Sequence, residues 1–149
     1  MPNQIGKFSD QKTMYGWRNI DDSIRPELIL KALEEPYGLV LQGKSLTYPW
    51  TGVSYDWPIP VLLDPDMTLH FNIYSQKPNL ELDIKITSLG GDSSLKSTLL
   101  TKTGWQSISV PLNKFSVVID SKNIKSLSIY YESYNNDDGY LLHNIIIEK

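Results

Sequence analysis

The sequence predicts an all-β domain, a two-sheet antiparallel sandwich with a short N-terminal helix as its one optional departure. Three observations carry the prediction. Apolar and polar side chains alternate with a period of two through much of residues 68–147, the pattern of strands with one buried face. Runs of Gly, Pro, Asn and Asp punctuate that alternation at short intervals. The repeated crossover helices that a βαβ fold requires are missing from the pattern, so sheet must bury sheet. A chain of 149 residues with 40% hydrophobic content fits one domain over residues 1–149 and can fill a core.

In chain order, Arg25 to Glu35 reads as a short helix, with Pro26 suited to its first turn and Pro36 stopping it. A strand interrupted by loops is the competing reading. Tyr37 to Leu41 and Ser45 to Tyr48 read as strands around the turn Gln42-Gly43-Lys44, whereas Pro49 and Pro58-Ile59-Pro60 favour irregular connections. In Thr68 to Tyr74, Leu69, Phe71 and Ile73 point to the core while Thr68, His70, Asn72 and Tyr74 face away. Leu80 to Thr87 repeats the pattern, with Glu81, Asp83, Lys85 and Thr87 on the polar face and a turn at Pro78-Asn79 before it.

A loop at Leu89-Gly90-Gly91-Asp92 leads to a strand over Ser94 to Thr101. Thr103-Gly104 then turns the chain into Trp105 to Val110, which Pro111 ends or confines to an edge by removing a ladder donor. In Ile124 to Tyr131, Leu127, Ile129 and Tyr131 share the core phase, and Ile124 is out of phase with them, which predicts a bend. The turn Asn135 to Gly139 precedes a last strand, Tyr140 to Ile147.

Composition excludes several functions. A net charge of −3 with scattered lysines offers no concentrated basic groove for a nucleic acid. No apolar run is long enough to span a membrane, no basic amphipathic helix or lipidation signal suggests membrane binding, and Met1 to Lys7 lacks the apolar centre of a secretory signal. The absence of cysteine removes disulfides and thiolate chemistry without identifying the compartment.

Trp105, Ile108, Val110, Pro111, Leu112 and Phe115, followed by the Ile124 to Glu148 strand pair, resemble a carbohydrate-binding module with the galactose-binding-domain-like jelly-roll fold. The likeness runs over roughly residues 37 to 149. Where that family commonly ends on Asp-Asn-Ile, this chain has His143-Asn144-Ile145, so Asn144 and Ile145 match and His143 replaces the acid. Many members carry a structural calcium near the N-terminal strand and that acid, so the resemblance raises one here. Asp10, Asp21 and Asp22 offer oxygens, but imidazole is unsuited to a hard cation. Asp137 and Asp138 would compensate if their loop folds inward, and solvated acidic turns are the alternative.

The resemblance implies noncatalytic polysaccharide binding, with a β-glucan or related plant-type glycan as partner and an attached enzyme or assembly to be targeted. It also implies an extracellular or cell-surface location. Sugar recognition needs apolar area against C–H faces and polar groups for hydroxyls. Three groups supply both: Trp50, Tyr55 and Trp57 in a Gly/Pro-containing loop; Tyr74 with His70 and Asn72; and Tyr130 beside Ser128 and Glu132. Glu81, Asp83 and Lys85 add directional groups, and a shared sheet would bring these outward phases into one cleft.

Trp50 and Trp57 serve equally to stack on sugar or to close a sandwich end; Trp17 shields a sheet or joins the site; Trp105 and Tyr131 read as structural. A protein-interaction or structural module is the alternative function, because fold does not fix role. Glycoside hydrolysis is the third reading, since Glu81-Asp83 and Asp137-Asp138 are carboxylate pairs.

Overall fold

The computed structural model describes residues 3–6, 16–19, 27–31, 38–43, 50–75, 78–91, 93–115, 122–132 and 140–149, with backbone alone for 3–6, 19, 27–31, 38–43, 50, 51 and 132. Among these described residues eleven strands follow in order: β1 (Asn3–Gly6), β2 (Trp17–Asn19), β3 (Glu27–Lys31), β4 (Gly38–Gly43), β5 (Trp50–Val61), β6 (Thr68–Ser75), β7 (Leu80–Ser88), β8 (Ser93–Leu100), β9 (Gly104–Pro111), β10 (Ile124–Glu132) and β11 (Tyr140–Glu148). One sheet runs β3-β4-β11-β6-β9, with β1 also on β11; the other runs β2-β5-β10-β7-β8. Every pairing is antiparallel, and the two sheets form a jelly-roll β-sandwich. None of the helices among the described residues is long and apolar enough to cross a membrane.

The core follows the alternation read from sequence. Leu69, Phe71 and Ile73 of β6 meet Leu82, Ile84 and Ile86 of β7 and Leu127, Ile129 and Tyr131 of β10 in one buried cluster. The phase break at Ile124 is a bulge: Ile124 pairs with Ser88 and Ser126 with Thr87, so the register slips at Lys125 and Ile124 still reaches the core. A second bulge, between His143 and Ile146, holds Asn144 in the left-handed region at φ 55°. Asparagine tolerates that conformation. The extra residue resets the phase, so Leu142, Ile145 and Ile147 are all buried while Asn144 stays exposed. The His143-Asn144-Ile145 motif therefore shapes the scaffold.

Three expectations are corrected. Glu27–Lys31, inside the expected helix, is a strand paired residue by residue with Gly38–Gln42, so the partner sheet overrides the local helical pattern. Trp50–Val61 is one strand instead of a loop. Its prolines fit because the register with β10 jumps from Asp56↔Ser126 to Val61↔Ile124, and among the described residues β2 pairs with Val53 to Tyr55; Pro58 and Pro60 thus lie in a bulge of the β10 ladder, which asks no bond of them. Finally, β6 belongs to one sheet while β7 and β10 belong to the other, which divides the expected single cleft. The expected strand at Ser45 to Tyr48 and turn at Asn135 to Gly139 lie outside the described residues.

β5 and β10 approach closely at Gly52. A Cβ there would come within 2.6 Å of Tyr130 Cα and nearer still to Tyr130 Cβ and the Ile129 carbonyl oxygen. Gly52→Ala is expected to lower stability by about 1–3 kcal/mol through this overpacking, read as a lower urea midpoint.

Candidate functional site

The outer face of the β2-β5-β10-β7-β8 sheet is laid out in rows by its register. One row crosses Arg18, Ser54, Ser128, Lys85 and Leu95; the next crosses Gly52, Tyr130, Asp83 and Ser97; a third crosses Asp56, Ser126, Thr87 and Ser93. The middle strands contribute small side chains. Ser54, Ser126 and Ser128 lie low and buried, with Tyr130 as a large group of the floor. Longer side chains stand on both flanks.

The polar groups are held before any ligand arrives. Arg18 Nε donates to Asp56 Oδ2 at 2.7 Å and its Nη2 to Oδ1 at 3.4 Å, a forked pair that fixes both side chains. Ser97 Oγ donates to Asp83 Oδ1 at 2.6 Å, Ser54 and Ser128 share a bond of 2.6 Å, and Thr87 and Ser93 one of 3.1 Å. Lys85 Nζ stands 5.9 Å from the Tyr130 ring centroid, within cation–π range. Burial, helped by the Asp83 charge, pushes the Tyr130 phenol above its usual pKa, so it stays a neutral hydroxyl. Carboxylates accept, Arg18 and Lys85 donate, and the hydroxyls do either, which is the mixture that polyol recognition requires.

The ten sequence candidates separate into three places. Tyr130, Asp83 and Lys85 converge on this face. Trp50 and Glu132 face each other in the same ladder, two positions from Gly52↔Tyr130, and their side chains lie outside the described residues. His70, Asn72 and Tyr74 lie on the outer face of the opposite sheet. Tyr55 and Trp57 turn inward: Tyr55 packs on the core, Trp57 is 8% exposed, and Trp17, Tyr55 and Trp57 form a run of rings with 5.2 Å between successive centroids. Trp17 thereby takes the structural of its two readings.

Arg18, Asp56, Ser97 and two of the floor serines, Ser54 and Ser126, are additions that sequence reasoning missed, whereas Ser128 was already placed beside Tyr130. The serines carried a signal, since Ser126 and Ser128 alternate with core residues Leu127 and Ile129. Arg18 carried none, because a three-residue strand is too short for periodicity to show.

Asp10, Asp21, Asp22, Asp137 and Asp138, the candidate calcium ligands, lie outside the described residues. Among the described residues no three His, Cys, Asp or Glu side chains converge on a metal position.

No family model and no curated protein matches the sequence. Solved structures match it in fold. The chain is similar to an exo-beta-agarase at TM-score 0.73 and 14% identity, over 97% of this chain and 24% of that one. It is similar to a family 30 carbohydrate-binding module at TM-score 0.71 and 12% identity, over 100% and 99%. It is also similar to the family 11 carbohydrate-binding module of a cellulosomal cellulase of Clostridium thermocellum, at TM-score 0.63 and 17% identity, over 99% and 94%. The chain thus spans about a quarter of the agarase and nearly the whole of each module. At these identities the likeness is one of fold, the jelly roll of carbohydrate-binding modules.

Proposed function

We propose that this chain is a noncatalytic polysaccharide-binding module that holds a glycan along the outer face of the β2-β5-β10-β7-β8 sheet. The observation that carries the proposal is the preorganised set of polar groups across these rows, Arg18–Asp56 on one flank and Asp83–Ser97 with Lys85 on the other, around the Tyr130 floor. Side chains already ordered lose little entropy on binding. A β-glucan or related plant-type glycan is the proposed ligand; one similar structure is a family 11 module in complex with a β-1,3-1,4-mixed-linked tetrasaccharide, and another is a xylan-binding domain. Targeting of an attached enzyme and an extracellular or cell-surface location belong to the same proposal.

The test is calorimetric titration with soluble β-1,3-1,4-mixed-linked glucan, xylan and agarose oligosaccharides. Asp83→Ala removes a charged acceptor, whose hydrogen bonds are worth about 1.5–3 kcal/mol, so affinity is expected to fall about tenfold or more with little change in thermal midpoint. Unchanged affinity in the folded variant would remove this face from the proposal.

One observation favours a protein-interaction surface as a second reading. Ile124 pairs with both Val61 and Ser88, so the exposed Leu62 and Leu89 flank the same end of β10, with exposed Ile59 nearby in sequence. Concentration-dependent light scattering that Leu62→Ser and Leu89→Ser abolish would support it.

A further inference from the structure

The opposite face of the sandwich repeats the chemistry of sugar recognition in a separate set of residues. Along β6 and β9 three cross-strand pairs follow one another: Tyr74↔Trp105, Asn72↔Ser107 and His70↔Ser109. The Tyr74 and Trp105 rings meet edge to face with centroids 5.6 Å apart. Ser107 Oγ donates to Asn72 Oδ1 at 2.9 Å, and His70 Nδ1 shares a bond of 2.8 Å with Ser109 Oγ. Glu148 Oε1 closes the row 3.9 Å from His70 Nε2. Ser107 and Ser109 are exposed, and His70, Asn72, Tyr74 and Trp105 are half-buried, so this half of the face is open to a ligand.

Trp105 points the same way. Its Nε1 is buried without a hydrogen-bond partner among the described residues, a state that costs about 1–3 kcal/mol and that phenylalanine would avoid. What indole adds over phenyl is ring area, and here that area extends the Tyr74 platform at one end of a row of amide, imidazole and hydroxyl groups.

We propose that the outer face of β6 and β9 is a second polysaccharide-binding surface, with Tyr74 and Trp105 as platform and His70, Asn72, Ser107 and Ser109 as hydroxyl partners. This rests on the reading that the chain binds polysaccharide at all. Because the two faces belong to different sheets, one molecule then holds two glycan chains on opposite sides and links them, and long polysaccharides gain avidity from neighbouring contacts.

The experiment compares the unmodified protein, Asp83→Ala with Lys85→Ala, and His70→Ala with Asn72→Ala, all with matching circular dichroism. Each is titrated with β-1,3-1,4-mixed-linked glucan, xylan and agarose oligosaccharides for stoichiometry and mixed with the long polymers for turbidity. The expected result is two sites per molecule, one in each double variant, and cross-linking of polymer by the unmodified protein alone. Loss of all binding in the Asp83/Lys85 variant overturns the second surface and leaves polysaccharide binding standing. Loss of all binding in the His70/Asn72 variant alone upholds the β6–β9 surface and removes the other. Absence of binding by the unmodified protein overturns both readings.

Discussion

Replacing Tyr140 with alanine is expected to cost about 3–5 kcal/mol of stability, the range for a buried aromatic. The side chain is 1% exposed and starts from β11 of one sheet, yet its hydroxyl ends at the β5–β10 ladder of the other. There it donates to the Ile129 carbonyl oxygen and accepts from the Val53 N–H at 3.2 Å. The ring also packs beside Tyr131, with centroids 6.0 Å apart. One residue thus fills core volume and ties the two sheets through backbone groups that do not depend on neighbouring side chains.

Tyr140→Phe keeps the volume and removes the tie, and is expected to cost about 1 kcal/mol, or somewhat more if the freed backbone groups stay unpaired. Urea unfolding of both variants measures the two terms. The sign of the alkaline effect follows from burial, which pushes the Tyr140 phenol well above 10.0 despite the opposing Val53 hydrogen bond. The folded state therefore keeps its proton where the unfolded chain has lost it. Stability is full below pH 10 and falls above it by about 1.4 kcal/mol per pH unit for one such group. Tyr140→Phe should make that decline shallower; an unaltered slope would show that other groups set it.

Trp57→Ala is expected to cost a comparable 3–5 kcal/mol while leaving glycan affinity per folded molecule unchanged. Trp57 belongs to the buried cluster and meets Tyr55 edge to face at 86°, a geometry that adds to its area term. Its Nε1 is buried without a partner among the described residues, so Trp57→Phe should lose clearly less than Trp57→Ala, having no N–H to strand. A folded Trp57→Ala protein with lost glycan binding and intact stability would return this residue to the ligand.

The contrast between Trp57 and Tyr130 shows what could be read from the sequence. Alternation reports which side chains share a face, because it is a property of each strand alone. It placed Leu69, Phe71 and Ile73 inside and His70, Asn72 and Tyr74 outside, and it exposed the bulge at Ile124 through a phase error. It did not say which strands share a sheet. That depends on contacts distant in sequence, and β6 lies beside β11 and β9 while β7 lies beside β10 and β8.

For that reason Tyr74 and Tyr130, expected in one cleft, lie on opposite faces. Proline misled in Trp50–Val61 because a bulge excuses the missing donors, and at Glu27–Lys31 pairing with β4 outweighed a locally helical composition. Arg18, on one flank of the proposed site, is fixed by Asp56, 38 residues away, a relation that no local pattern encodes.

The central claim is that glycan lies along the outer face of the β2-β5-β10-β7-β8 sheet, and amide chemical-shift mapping tests it most directly. The protein is titrated with β-1,3-1,4-mixed-linked glucan, xylan and agarose oligosaccharides. The expected result is saturable shifts at Arg18, Ser54, Asp83, Lys85, Ser97, Ser128 and Tyr130 with at least one of them. Shifts that leave all of these residues unmoved, or no saturable shift with any oligosaccharide, would contradict the claim.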